Sequence, residues 1–313
     1  MAFDYTTTTF LVPSVKRHAL IPLAASTFTA TDFIAFLNEA LLSLSTLLAK
    51  ERQGYFVRRL IDVPLVAGQD SYPVPERALG AVLQDVGILE VSGQVRDLTY
   101  LTPSDAVGSE TDRGPPDCFF MEGSNVVVRP VPDSTGESLR LPILERPNAL
   151  VASAQVGINT APALANTFSM SAGTPVAFTT STPLDIIEGR QPFRTLARSI
   201  TPTVVGPSSC TFASGVLPST LAFGDFLSLA GESHVAQIPD VFLSSLTLMA
   251  CASALDSLDQ SKKAQAKQKE AEQKLGAALA IVRPRVKQAT RVMPNGMDKW
   301  RTEAPEERLW WRA

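Results

Sequence analysis

Proline locks φ, lacks an amide donor and breaks helix interiors, so its placement constrains this 313-residue chain more than any other feature. Of the 23 prolines, none falls in residues 23–63 or 240–283, and between those stretches they recur throughout. Helices near both ends therefore enclose a middle of short strands and turns, where Val, Thr, Phe and Gly accompany the prolines. Apolar residues make up 45% of the chain and charged ones 19%, which is enough to bury a core.

In the first proline-free stretch, Thr29 or Thr31 suits a helix N-cap. Phe33, Leu37, Leu41, Leu44 and Leu48 then recur at helical spacing to about Lys50. The following residues turn β-branched and aromatic, with Gly68-Gln69-Asp70 as a turn between two strands. Further strands are expected at 81–91, 95–101, 118–121, 125–129 and 138–144, with a hairpin turn at Gly123-Ser124. Residues 151–233 form a second β block, almost without charge and rich in Thr, Ser, Ala and Pro. Its expected strands are 167–170, 176–178, 203–205, 210–212 and 226–229, a spacing that suits a small sandwich or barrel. Helical sequence resumes directly afterwards, so this block reads as an insertion.

Pro239 and Asp240 suit the first turn of a C-terminal helix. Its broad apolar stripe, with Phe242, Leu246, Met249, Leu255 and Leu258 as packing residues for the bundle or a neighbouring subunit, implies more than one neighbour. A second helix from about Asp259 to Val282 carries a narrower stripe at Ala271, Leu275, Ala278 and Val282, and pairs Glu270 with Lys274. The fold class expected is α+β: a helical bundle from N- and C-terminal helices, an antiparallel β region, and an inserted β-sandwich or barrel between them. The corresponding divisions are 1–52, 53–150, 151–235, 236–284 and an extended tail, 285–313. That tail holds all three tryptophans. Trp300, Arg301, Arg308, Leu309, Trp310, Trp311 and Arg312 are expected to dock on a partner, since Trp and Arg are typical interface anchors, or else to fold back on their own subunit.

The net charge of −3 gives no general attraction to nucleic acid or anionic membranes. Charge is unevenly spread, however: no lysine occurs in residues 51–260, and five fall between Lys262 and Lys274. That cluster offers phosphate contacts, but interleaved Glu and Gln favour a solvated helix face. Lys16-Arg17-His18 and the apolar residues after it resemble the start of a short signal peptide, which Pro22 interrupts. No segment is expected to supply the roughly 18 apolar residues of a membrane span, and the chain reads as soluble and made in the cytoplasm.

Gly231-Glu232-Ser233-His234 offers a catalytic candidate, a Gly-x-Ser beside one of only two histidines. Adjacent residues of a strand face opposite ways, so Ser233 and His234 are not expected to meet, and the pattern lacks its final glycine. The other histidine, His18, lies in the N-terminal arm. Cys118, Cys210 and Cys251 have neither the spacing of a zinc site nor an even count for disulfides. No phosphate-binding glycine loop or dinucleotide motif is present. No cofactor or metal is expected, and no enzyme activity.

The order of elements then carries the reading. The stretches "FTATDFIAFLNEALLSL", "VAGQDSYPVPERALGAV", "GPPDCFFMEGSNVVVRPVPDSTGESLRLPILERPNAL", "LDIIEGRQPFRTLA" and "FGDFLSLAGESHVAQIPDVFLSSL" together resemble the head-to-tail adaptor, or connector, proteins of tailed bacteriophages. The resemblance covers roughly residues 28–280, with the β insert matched only by longer family members. It implies a homo-oligomeric ring, a dodecamer, at the virion neck. The ring would bind the portal protein, receive a tail tube, nozzle or other tail-side protein, and let DNA through its lumen without specific binding. An alternative from another class is a receptor- or carbohydrate-binding tail component using the insert, which holds no Trp or Tyr for sugar stacking.

Overall fold

A computed structural model describes residues 5–22, 28–51, 58–80, 83, 86–102, 112–161, 166–171, 173–191 and 193–282. The chain divides into two compact units, Met1–Leu275 and Gly276–Ala313. Of the second, the described part is the end of the last helix. The fold mixes helix and mainly antiparallel sheet, as the α+β expectation has it.

The helices are α1 (Val12–Ala19), α2 (Ala30–Glu51), α3 (Leu243–Asp256) and α4 (Ser261–Val282). Thr29 caps α2 by a reciprocal arrangement: its hydroxyl accepts from Asp32 N at 3.3 Å, and the Asp32 carboxylate accepts from Thr29 N at 2.7 Å. At 1.5 Å per residue α2 is about 33 Å long. Its stripe of Phe33, Leu37, Leu41, Leu44 and Leu48 is fully buried, and α2 packs on α3. Each such side chain contributes about 1.5–3 kcal/mol by leaving water. Helix α1, preceded by a π-turn at Thr7–Leu11, was not expected from the sequence; Pro13 sits in its first turn, where the missing amide costs nothing. It packs on α3, Val15 and the preceding Leu11 are fully buried, and Lys16 reaches over the Phe33 ring of α2.

The first β region holds β1 (Arg58–Pro64), β2 (Ser71–Pro73), β3 (Gly87–Leu89), β4 (Val95–Asp97), β5 (Thr99–Tyr100), β6 (Cys118–Glu122), β7 (Asn125–Arg129), β8 (Ser138–Leu144) and β9 (Ala149–Leu150). Two four-stranded sheets form, in the orders β1-β8-β3-β4 and β2-β7-β6-β5. Both send side chains into one apolar cluster: Ile88, Leu139, Leu141 and Ile143 from the first, Tyr72, Phe119, Val126 and Val128 from the second. The strand expected at 95–101 is thereby corrected. It splits at the buried Leu98, which points into the shared core while the chain crosses from one sheet to the other. β1 and β2, either side of the Gly68 turn, likewise join different sheets. The antiparallel expectation also has an exception, because β5 and β6 are parallel.

The second block holds β10 (Gly157–Ile158), β11 (Thr167–Ser169), β12 (Leu184–Ile187), β13 (Thr195–Ile200), β14 (Val204–Val205), β15 (Ser209–Thr211), β16 (Phe226–Leu229) and β17 (Glu232–Ser233). The sheets β10-β16-β12-β13 and β11-β15-β14 share a core of Phe168, Met170, Leu184, Ile186, Cys210, Phe212 and Leu227. Thr160 N donates to Ser169 O at 3.0 Å, so the chain leaving β10 joins β11 as well. The expected strand at 176–178 is instead a turn that leaves Val176 fully exposed, since Pro175 and the Phe178 amide close it (Phe178 N to Pro175 O, 3.0 Å). β9 and β17, at the two ends of the block, pair in parallel, Ala149 opposite Glu232. On its other side, β9 is bound by the Asn38 amide of α2, which donates to Leu150 O at 3.0 Å and accepts from Leu150 N at 2.6 Å.

A buried ionic cluster lies beside that junction. Asp185 of β12, with no exposed surface, accepts from Arg77 Nη1 at 2.7 Å, Ser199 N at 2.9 Å and Gly231 N at 3.0 Å. Arg77 also pairs with Glu145 (3.5 Å) and donates to Asn148, and Glu145 pairs with Arg198 of β13. Asp185→Ala removes the acceptor of Arg77 Nη1 and of the Ser199 and Gly231 amides and breaks a buried ion pair, so a loss of about 3 kcal/mol is expected. Urea denaturation followed by fluorescence checks it: a midpoint within error of the parent's contradicts the central role given to this carboxylate.

Candidate interaction surfaces

Gly231 adopts φ +85°, a left-handed conformation natural to glycine, and this turn passes the chain from β16 to β17. Ser233 is buried in β17. Its hydroxyl donates to Val235 O at 2.7 Å and accepts from Val235 N at 3.1 Å, so it closes a local turn and is not an activated nucleophile. The His234 ring lies edge-on to Phe226, 4.2 Å between centroids, and is buried as well. His234 O accepts from both the amide and the hydroxyl of Thr7, each at 2.7 Å, which ties down the N-terminal arm. Ser233 and His234 are thus interior residues of a junction. The three thiols have pKa values pushed up to about 11 chiefly by burial, so at neutral pH they are protonated. Among the described residues no group of three or more His, Cys, Asp or Glu side chains is placed to hold a metal ion.

The helices supply the apolar surfaces. α3 is buried almost all round, with polar Ser245 and Thr247 inside as well as its leucines and alanines. Of the packing residues expected on this helix, Phe242, Leu246 and Leu255 are consumed within the subunit. Met249 is half-buried. Leu258 lies past the end of α3 in the turn to α4, because the helix stops at Asp256. Met249 lines a groove of about 660 Å3 with Leu42 and Leu47 of α2, bordered by Glu39 and Gln268. Leu42 and Leu47 are 49% and 43% exposed. These extra leucines also correct the expectation about membrane spans. The segment Ala30–Ala49, at mean hydropathy 1.4, is long and apolar enough by composition, although 39% of it is buried inside the protein.

A second cleft, of about 740 Å3, lies between the N-terminal arm and the insert. Phe193, Phe226 and Ile158 line it, together with Arg190 and Asp240. The lysine cluster on α4 is a helix face laced by ion pairs, as its alternating charge suggested: Glu270 pairs with Lys267 at 2.9 Å and Lys274 at 3.2 Å. The tail residues Trp300, Arg301, Arg308, Leu309, Trp310, Trp311 and Arg312 lie outside the described residues.

His18 of α1 faces α4. Its pKa is lowered, first by burial and then by Lys267 and Lys274, against the opposing pull of Glu270. The folded state therefore binds this proton less readily than the unfolded chain. His18 leaves stability intact above its unfolded value of about 6.5 and subtracts from it as pH falls below that value. His18→Gln is expected to flatten the stability profile between pH 7 and 5. Parallel urea titrations across that range check it, and identical slopes for parent and variant count against the contact.

Among known proteins, the sequence pattern of one family, described as SU10 adaptor protein, matches residues 10–172, about half of the chain. The match takes in α1, α2, the first β region and the start of the insert. No curated protein matches the chain.

Proposed function

From the premise that the chain belongs to the SU10 adaptor protein family, whose members are structural head-to-tail adaptors of the bacteriophage neck, we propose that it forms a ring, a dodecamer, joining portal to tail. The ring binds the portal on one side and a tail tube, nozzle or other tail-side protein on the other. Its subunits are made in the host cytoplasm, and it extends the DNA channel and lets the genome pass at ejection. The chemistry is that of joining surfaces.

The family match carries this reading, and the division of the helical residues supports it. Phe242, Leu246 and Leu255 build the subunit's own core, while Leu42, Leu47 and Met249 remain at an open groove. An exposed apolar groove rimmed by polar groups suits a neighbouring subunit. The block formed by 151–235 is a module inserted at the β9–β17 pair. DNA meets a lumen of low affinity, since a net charge of −3 on each subunit gives no phosphate-gripping wall.

In this reading residues 285–313 dock on the portal or a ring neighbour through Trp300, Arg301, Arg308, Leu309, Trp310, Trp311 and Arg312. Anchoring aromatics at an interface are worth about 2 kcal/mol or more each, roughly thirtyfold in affinity. Negative-stain images and native mass spectra of the purified chain are expected to show a ring; persistent monomer at every concentration, with no density at the virion neck, overturns the reading. The double variant Trp310→Ala, Trp311→Ala is expected to keep the folded subunit and weaken portal binding at least thirtyfold in a pull-down titration.

A further inference from the structure

The insert distributes its charge in one direction. Residues 151–184 and 199–224 hold no Asp, Glu, Lys or Arg, although 19% of the chain is charged. The charges it does have lie on β12, on β13, in the connection between these strands, at the buried Asp225, or at Glu232 of β17 beside the first β region. Two of them, Asp185 and Arg198, are held by Arg77 and Glu145 of the first β region. Asp225 accepts from Gly189 N at 2.8 Å and Ala222 N at 2.7 Å. The β14–β15 hairpin and the loop beside it carry none.

That charge-free end is firmly built. Thr174 donates through its amide to Pro207 O at 2.9 Å and through its hydroxyl to Gly206 O at 2.5 Å, so the loop bearing Val176 is stitched to the β14–β15 turn. Val176 is 100% exposed and Val204 57%. β14 is also a sheet edge, paired with β15 alone in the order β11-β15-β14. Edge strands are ordinarily guarded by charge, often lysine, because an open ladder recruits another strand. This one has valine, threonine and serine.

We propose that the β14–β15 edge, with Val176 and Val204 at its centre, is a contact surface for a second copy of this chain. This deepens the ring reading above and rests on it for the geometry in which copies meet. The charge pattern selects the occupant. A charged partner would bury its ions against a surface with nothing to pair them, at a cost of several kcal/mol per ion. The insert of a neighbouring copy brings the same uncharged Thr, Ser and Val surface, free of like-charge repulsion, and desolvates nothing ionic. Nucleic acid and anionic lipid are disfavoured by the same absence of cations.

The test uses the full chain with Val176→Lys and Val204→Lys together. Both positions are exposed, so the subunit's own packing is untouched, and an unchanged thermal midpoint at low concentration verifies the fold. The expected result is slowed amide exchange across residues 203–211 in the assembled parent, and at least a tenfold weaker association with fast exchange there in the variant. A ring of unchanged strength and stoichiometry in the variant, with residues 203–211 exchanging fast in the parent, overturns this surface and leaves the ring standing. Small oligomers joined through residues 203–211 without ring closure support the surface and count against the ring. Parent protein that never self-associates, or that protects this edge only on binding a different protein, overturns the surface.

Discussion

A carboxylate removed wholly from water has to be compensated where it sits, and Asp185 is the point on which the rest of this structure depends. Its acceptor capacity is met by Arg77 from the first β region, Ser199 from β13, and Gly231 from the turn before β17. Three distant parts of the chain are thereby required to meet. Arg77 extends the requirement, because the same guanidinium reaches Glu145 and Asn148. Asn148 in turn donates through its side-chain amide to Glu232 O at 2.9 Å and through its backbone amide to Gln237 Oε1 at 3.1 Å. Gln237 donates to Phe193 O at 2.8 Å. The β insert, the first β region and the chain leading into α3 therefore share one polar junction, flanked by the Asn38 contact from α2. Apolar burial supplies most of the gross stability. This network instead selects one arrangement of the parts, since any other leaves a buried charge or amide unpaired.

The helices solve a different problem. α3 has to be apolar almost all round because α1 and α2 both pack against it. α2 has one buried stripe and, beyond it, leucines that the subunit does not use. A fold needing only a stable monomer gains nothing from Leu42 and Leu47 in solvent. Together with Met249 they line an open groove.

Much of this was legible in the sequence wherever the signal is local. Proline placement marked the helical ends and the β middle, helical spacing marked the buried face of α2, and Thr29 and Thr31 were both candidates for its cap, of which Thr29 is the one used. The limits are equally physical. Strand length and alternation do not reveal which sheet a strand joins, so 95–101 read as one strand although Leu98 turns it from one sheet into the other. Parallel pairing of β9 with β17 joins residues 83 positions apart (Ala149 and Glu232) and has no local signature. The ionic cluster was missed because its partners are widely separated; Arg77 and Asp185 stand 108 residues apart. A signal was nevertheless present. A single aspartate inside the apolar run Leu184-Asp185-Ile186-Ile187 has to be buried with a cation, and the sequence offers few cations nearby. Gly231-Glu232-Ser233-His234 misled in the opposite sense: glycine is needed for backbone geometry and serine for a turn, not for chemistry.

The arrangement of charge joins the inner and outer halves of the problem. The insert's ionic groups Asp185 and Arg198 are used inside the subunit, where low dielectric makes each pairing stringent about position. The β14–β15 hairpin and the loop beside it are left with hydroxyls and small apolar side chains. Contacts made by such a surface draw on apolar burial and backbone pairing, neither of which is weakened by screening. Rigidity from buried ions and adhesion from uncharged surface let the first be exact about geometry while the second stays indifferent to salt.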